Sequence, residues 1–150
     1  MRVGIGEYKA FGKYITSPDS IWCEVRLDEK DVPRKLRRLY NLFKTFVPST
    51  HNKPENIFFV IAYHPHRFYW TIYFCHRHFE ENEFRDLNAL LAFIEKLSWE
   101  FGADETYLEL LDGIGEKLIV ECYARDSRYI PAKIRRAIKE FMLEKSWKSL

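Results

Sequence analysis

The stretch Ile57–His78, IFFVIAYHPHRFYWTIYFCHRH, constrains the fold more than any other part of the chain. Two aromatic-rich arms are separated once, by His64-Pro65-His66-Arg67, and such a run reads as a β-hairpin. Successive strand residues point to opposite faces of a sheet. Phe68, Trp70, Ile72 and Phe74 therefore share a face that has to be covered, while Tyr69, Thr71, Tyr73, Cys75 and Arg77 share the other. In the first arm Ile57, Phe59 and Ile61 alternate with Phe58, Val60 and Ala62, so both faces are apolar. Such a strand belongs inside a sheet or beneath an interface.

A chain of 150 residues is expected to form one domain, burying about two-thirds of the unfolded surface. Its 47% hydrophobic and 17% aromatic content argues against disorder. The apolar run Ile57–Tyr63 is too short to cross a bilayer, which excludes a membrane partner of that kind. The start of the chain, MRVGIGEYKAFGKY, has glycine and charge where a signal peptide needs an apolar block. Three well-separated cysteines make no disulfide framework, so a reducing cytoplasm is the expected compartment. Glutamine is absent while Lys, Arg and Glu abound, a balance associated with hot environments.

The net charge of +2 hides an uneven distribution. Arg34, Lys35, Arg37 and Arg38 make one basic stripe and Lys133, Arg135, Arg136 and Lys139 another, with an acidic stretch from Glu80 to Asp112 between them. The default reading of both stripes is a solvated helix face.

In chain order, Val3–Ile15 has strand content weakened by Gly4, Gly6 and Gly12. Ile21–Leu27 is a strand with Ile21, Cys23, Val25 and Leu27 inward and Trp22, Glu24 and Arg26 outward. Asp31 and Pro33 open a helix whose stripe is Leu36, Leu39, Tyr40 and Phe43, ending near Val47-Pro48. Glu80-Glu81-Asn82 opens a second helix with Phe84, Leu87, Leu91, Ile94 and Phe101 as its buried side, and Gly102 ends it. Thr106–Leu111 and Lys117–Ala124 are strands joined by Asp112-Gly113-Ile114-Gly115, and Pro131 starts a third helix with Ile134, Ala137, Ile138, Phe141 and Met142 inward.

The resulting fold class is α+β: three ββα units forming a mostly antiparallel sheet with helices on one face. Internal repeats over 1–50, 51–102 and 103–150 are suggested by the match of DEKDVPRKLRRLY (Asp28–Tyr40) with DSRYIPAKIRRAI (Asp126–Ile138). The alternative is a ferredoxin-like βαββαβ core with the first strand and last helix as additions.

Helices on one face leave Trp22, Arg26, Tyr69, Tyr73 and Arg77 on the other. Aromatic side chains on an open sheet stack on bases, and arginines supply phosphate contacts. The arrangement resembles the working principle of an RNA-recognition-motif platform, although that family's glycine-containing aromatic signature is absent from Phe68–Arg77. The competing occupant of the same tyrosines is a homodimer or a lid, since large exposed apolar patches mark protein contacts. The functional expectation is an interaction protein, a homo-oligomer with single-stranded nucleic acid as a further partner, rather than an enzyme.

All five histidines fall between His51 and His78. A hairpin turning at His64–Arg67 pairs Ile57 near Phe74 and carries His51 toward His78, leaving His64 and His66 at the far end. His51, His76 and His78 are thus the alternative metal ligands, suited to zinc or another divalent ion, against a default of no cofactor. His76-Arg77-His78 also resembles the His-x-His pair of the HUH nucleases. That resemblance implies a metal on a central strand and a nucleophilic tyrosine on a later helix, with Tyr129 and Lys133 as the counterparts and DNA nicking as the activity. Gly4-Ile5-Gly6 and Gly113-Ile114-Gly115 lack the strand-to-helix context of phosphate loops. Cys23, Cys75 and Cys122 fall within strands, where thiols are usually inert.

Overall fold

A computed structural model describes residues 1–48, 50–79, 87–111 and 117–148. Six strands form one sheet in which every neighbouring pair is antiparallel: β1 (Arg2–Ile5), β4 (Ile21–Arg26), β5 (Ile57–His64), β6 (Tyr69–His76), β8 (Lys117–Ala124) and β7 (Glu105–Leu111), in that spatial order. Helices α1 (Arg34–Phe46), α2 (Leu87–Phe101) and α3 (Ala132–Lys148) pack on one face. The fold is α+β, as the hydrophobic periodicities predict.

The parity of the central hairpin follows from the alternation. Trp70, Ile72 and Phe74 join Phe59, Ile61 and Phe43 in the main core, and Tyr73 and Cys75 face the other way with Phe58 and Val60. As expected for an arm apolar on both faces, β5 lies inside the sheet between β4 and β6. The register differs from the expected one by two residues: Ile57 pairs with His76 and Phe59 with Phe74. An even shift preserves the faces. The shift arises because the four-residue loop moves by one residue at both ends: His64 stays in β5, paired with Tyr69, and Phe68, at a positive φ of 56°, leaves the inward set and is 74% exposed.

The last strand pair enters the sheet reversed. β8, not β7, lies against β6, so β6 and β7 run parallel with β8 between them and α2 connects them. The ferredoxin-like alternative would instead place a third strand between the two that α1 joins. β4 and β5 are direct antiparallel neighbours, which rules out that assignment. The matched segments after Pro33 and Pro131 do adopt the same local structure. Leu36 and Arg37 donate to the carbonyl oxygen of Pro33, and Ile134 and Arg135 to that of Pro131.

The stripe of α1 is the predicted one, Leu36, Leu39, Tyr40 and Phe43. The buried side of α2 is rotated from the expected one: Leu90, Phe93, Leu97 and Phe101 are buried, Ile94 is half-buried and Leu91 is exposed. Adjacent apolar pairs such as Leu90-Leu91 and Phe93-Ile94 fit either face, and packing selects one. The opening at Glu80-Glu81-Asn82, Phe84 and the Asp112–Gly115 turn lie outside the described residues.

The N-terminal segment departs most from expectation. After β1 the chain turns at Gly6 and forms a small hairpin, β2 (Lys9–Ala10) and β3 (Lys13–Tyr14), through Phe11 and Gly12, both at positive φ. This hairpin lies on the helix-free face, where Tyr8, Ala10, Phe11 and Ile15 pack against Phe58, Val60, Tyr73, Cys75 and Ile119. Among the described residues no helix is long and apolar enough to cross a membrane.

Candidate binding site on the helix-free face

Beyond the N-terminal hairpin, four rings follow one another across four strands. His64 on β5 stacks on Tyr69 on β6 with centroids 4.4 Å apart. Tyr69 lies 5.8 Å from Tyr123 on β8, and Tyr123 meets Tyr107 on edge strand β7 edge-on at 5.7 Å. The row exists because these residues occupy matching parity on neighbouring strands about 4.8 Å apart. Tyr107 is 54% exposed, Tyr69 and Tyr123 are half-buried, and His64 is buried.

A groove of about 740 Å³ opens beside the two middle rings of this row, Tyr69 and Tyr123. Arg67, Phe68 and Tyr69 from the tip of the β5–β6 hairpin form one wall, and Asp104, Glu105, Tyr123, Ala124 and Arg125 form the other. The groove thus combines tyrosine surface with carboxylates and two arginines, one of which, Arg125, has its Nε 3.5 Å from Asp104 Oδ2. A flat group can lie against the rings while the carboxylates accept hydrogen bonds from its edge and Arg67 meets an anion.

The polar partners hold the row in place. His64 Nε2 is 2.6 Å from Thr71 Oγ1 and its Nδ1 is 3.1 Å from Ser17 Oγ. Burial lowers its pKa, partly offset by Asp19. The Tyr123 hydroxyl donates to Glu121, and the Tyr107 hydroxyl donates to Glu105 Oε2 at 3.2 Å. Both phenols are raised, Tyr123 first by burial and Tyr107 by its carboxylate partner. They remain neutral donors at physiological pH.

The five residues singled out from the sequence do share the helix-free face, but the N-terminal hairpin divides them. Tyr69 lines the groove. Tyr73 is 2% exposed, and its hydroxyl donates to the carbonyl oxygen of Ile15. Trp22 meets Tyr8 edge-on at 4.9 Å, with the Arg2 guanidinium 5.1 Å from its ring centroid. Arg77 lies over Phe58 at 4.7 Å. Arg26 is exposed near the opposite edge, its Nε 3.6 Å from Asp28 Oδ1. Tyr107, Tyr123, Phe68, Arg67 and Arg125 were not anticipated. The alternation of Tyr107 with Leu108, and of Tyr123 with Cys122, carries the same signal that marks Tyr69.

His51 and His78 have ring centroids 6.3 Å apart, but His76 is turned inward. Its Nε2 is 2.7 Å from Asn52 Oδ1, and its Nδ1 accepts from the backbone N–H of His78. Both nitrogens are engaged, and among the described residues no three His, Cys, Asp or Glu side chains converge on a point that could hold a metal ion. Tyr129 and Lys133 lie elsewhere. The Tyr129 ring packs on Gly102 at the end of α2, its carbonyl accepts from Lys35 Nζ, and Lys133 Nζ donates to the Asp31 carbonyl. His76 instead meets Phe43, eight residues further along α1 than Lys35, or about 12 Å by helical rise. The histidine pair and the tyrosine that the HUH resemblance requires to meet are therefore at opposite ends of α1. All three cysteines are buried free thiols, and burial raises each pKa, that of Cys122 to about 11.

No protein family, curated protein or solved structure matches this chain.

Proposed function

We propose that the protein is a binding module whose ligand stacks on the Tyr69–Tyr123–Tyr107 row, and that this ligand is single-stranded nucleic acid. The observation that carries the reading is the run of neighbouring rings on the helix-free face, two of which, Tyr69 and Tyr123, line a groove of about 740 Å³. Base–aromatic stacking contributes about 1–3 kcal/mol per base whatever the base. Arg67 and Arg125 stand at the rim where a phosphate can be met, with Phe68 as a further exposed ring. Asp104 and Glu105 favour bases that present an amino group, as a carboxylate does in accepting from cytosine N4. Oligo-C and oligo-A are expected to bind more tightly than oligo-U or oligo-T.

Fluorescence anisotropy of labelled single-stranded DNA and RNA oligonucleotides tests this. Saturable, salt-sensitive binding that weakens about 5- to 150-fold in Tyr69→Ala and in Tyr123→Ala is the expected result. Trp99→Ala, on exposed α2 surface on the other side of the sheet, serves as the control. Absence of binding, or binding indifferent to both tyrosine substitutions, removes the nucleic-acid reading.

A further inference from the structure

The two edges of the sheet differ. β1 has four residues, with Arg2 and Gly4 among them, whereas β7 has seven, ETYLELL, with no proline, lysine or glycine. An edge strand of that length, free of proline, lysine and glycine and charged only at Glu105 and Glu109, presents a row of backbone donors and acceptors to another strand. Its helix-side residues are also poorly covered: Leu108 is 37% and Leu110 is 49% exposed. Ser98 of α2 hydrogen-bonds Thr106, and Leu91, 50% exposed, precedes Ser98 by about two helical turns and so shares its side of α2. The edge is apolar on the helix side, and among the described residues no further strand pairs with it.

We propose that two copies of this chain pair through β7, antiparallel about a two-fold axis at Leu108, joining their six-stranded sheets into one. The charge pattern of the strand selects both the occupant and the register. With Leu108 opposite itself, Glu105 faces Leu111, Thr106 faces Leu110 and Tyr107 faces Glu109 of the second copy, so no two carboxylates meet. Moving the axis to Tyr107 sets Glu105 against Glu109 twice, and moving it to Glu109 sets that residue against itself. Like charges directly opposite destabilise a strand pair. The axis is perpendicular to the sheet, so both sets of helices stay on one face and Leu91, Leu108 and Leu110 of each copy close over each other. On the other face the two Tyr107 residues become diagonal neighbours with backbones about 7–8 Å apart, within reach of aromatic side chains. The tyrosine rows of the two copies then form one platform. The pairing itself does not depend on what that platform binds.

The test uses the whole chain without nucleic acid. Light scattering across a concentration series is expected to give a dimer for the native protein and a monomer for Leu108→Glu, which opposes two carboxylates on the axis. Leu108→Cys places the two introduced Cβ atoms about 4.5–5.5 Å apart, which a shift of about 1 Å brings to the separation of a disulfide, so the pair is expected to link on oxidation. Leu110→Cys, two residues off the axis on each copy, is not expected to link to itself. The three native cysteines are buried and leave the introduced thiol as the reactive one. A native chain that stays monomeric at every concentration with an unlinked Leu108→Cys overturns the proposal, as does a dimer that persists in Leu108→Glu. The disulfide test holds even if Leu108→Glu fails to fold.

Discussion

The Tyr73 hydroxyl donates to the backbone carbonyl oxygen of Ile15, fifty-eight positions away in sequence, and so ties the N-terminal hairpin to the middle of the sheet. Two further bonds fix the same hairpin: the Tyr8 hydroxyl donates to Glu24, and the Tyr8 backbone N–H donates to Thr16 Oγ1 at 2.6 Å. Phe11 meets Phe58 edge-on at 5.7 Å. The chain thereby supplies its own cover for the centre of the helix-free face. What stays open is the strip from Tyr69 to Tyr107.

Tyr73→Phe removes that bond with little change in volume and leaves a part-buried carbonyl without its donor. A loss of about 1–2 kcal/mol in unfolding free energy is expected, measured by urea denaturation. Tyr14→Phe, on an exposed ring, should stay within about 0.5 kcal/mol of the native protein. Equal effects for both would mean that the Tyr73 hydroxyl does not secure the hairpin.

Gly102 ends α2 at a φ of +56°, and a Cβ built there would stand 2.4 Å from the Tyr129 ring. Gly12, at +82°, has nothing within 4 Å of such a Cβ. Alanine at either site meets the left-handed backbone penalty of about 1–2 kcal/mol. At Gly102 it must also displace the ring that packs over the helix end. Thermal unfolding should therefore show Gly102→Ala as clearly the more destabilised of the two. A matched pair of melting temperatures would show that Tyr129 moves aside without penalty.

The faces of β6 were legible because alternation is set by covalent geometry, and Trp70 and Tyr73 could not share a side. The register differs by two residues because His64 stays paired in β5 and Phe68 adopts a left-handed conformation that its side chain gives no reason to expect. The face of α2 was ambiguous in a local way: Leu90 and Leu91 are identical residues, and only contact with the sheet decides which is inside. Covering of Tyr73 by Ile15 and Tyr8 is a long-range event. Gly6 and Gly12 announce a broken strand but not where the broken part lands. Tyr69 was recognisable as a candidate, whereas the groove beside it needs Asp104, Tyr123 and Arg125 brought to the same end of the sheet by the reversed entry of β7 and β8.

His76 is buried, and its pKa falls to about 4 because burial disfavours the imidazolium, with His78 and His51 adding repulsion. In the unfolded chain it returns to about 6.5. Above that value the ring is neutral in both states and its contribution to stability is fully present. As the pH falls from about 6.5 to about 4 the unfolded chain takes up a proton that the folded one refuses, so stability declines, by on the order of 3 kcal/mol for this group. Urea unfolding followed from about pH 7 to about pH 4 should show this decline, and His76→Asn should flatten it whatever its effect on absolute stability. His64, whose pKa burial also lowers, titrates in the same direction and is present in both proteins, so the difference between their slopes isolates His76. Coincident slopes would mean that His76 is not held neutral by the core formed around Phe43 and Phe79.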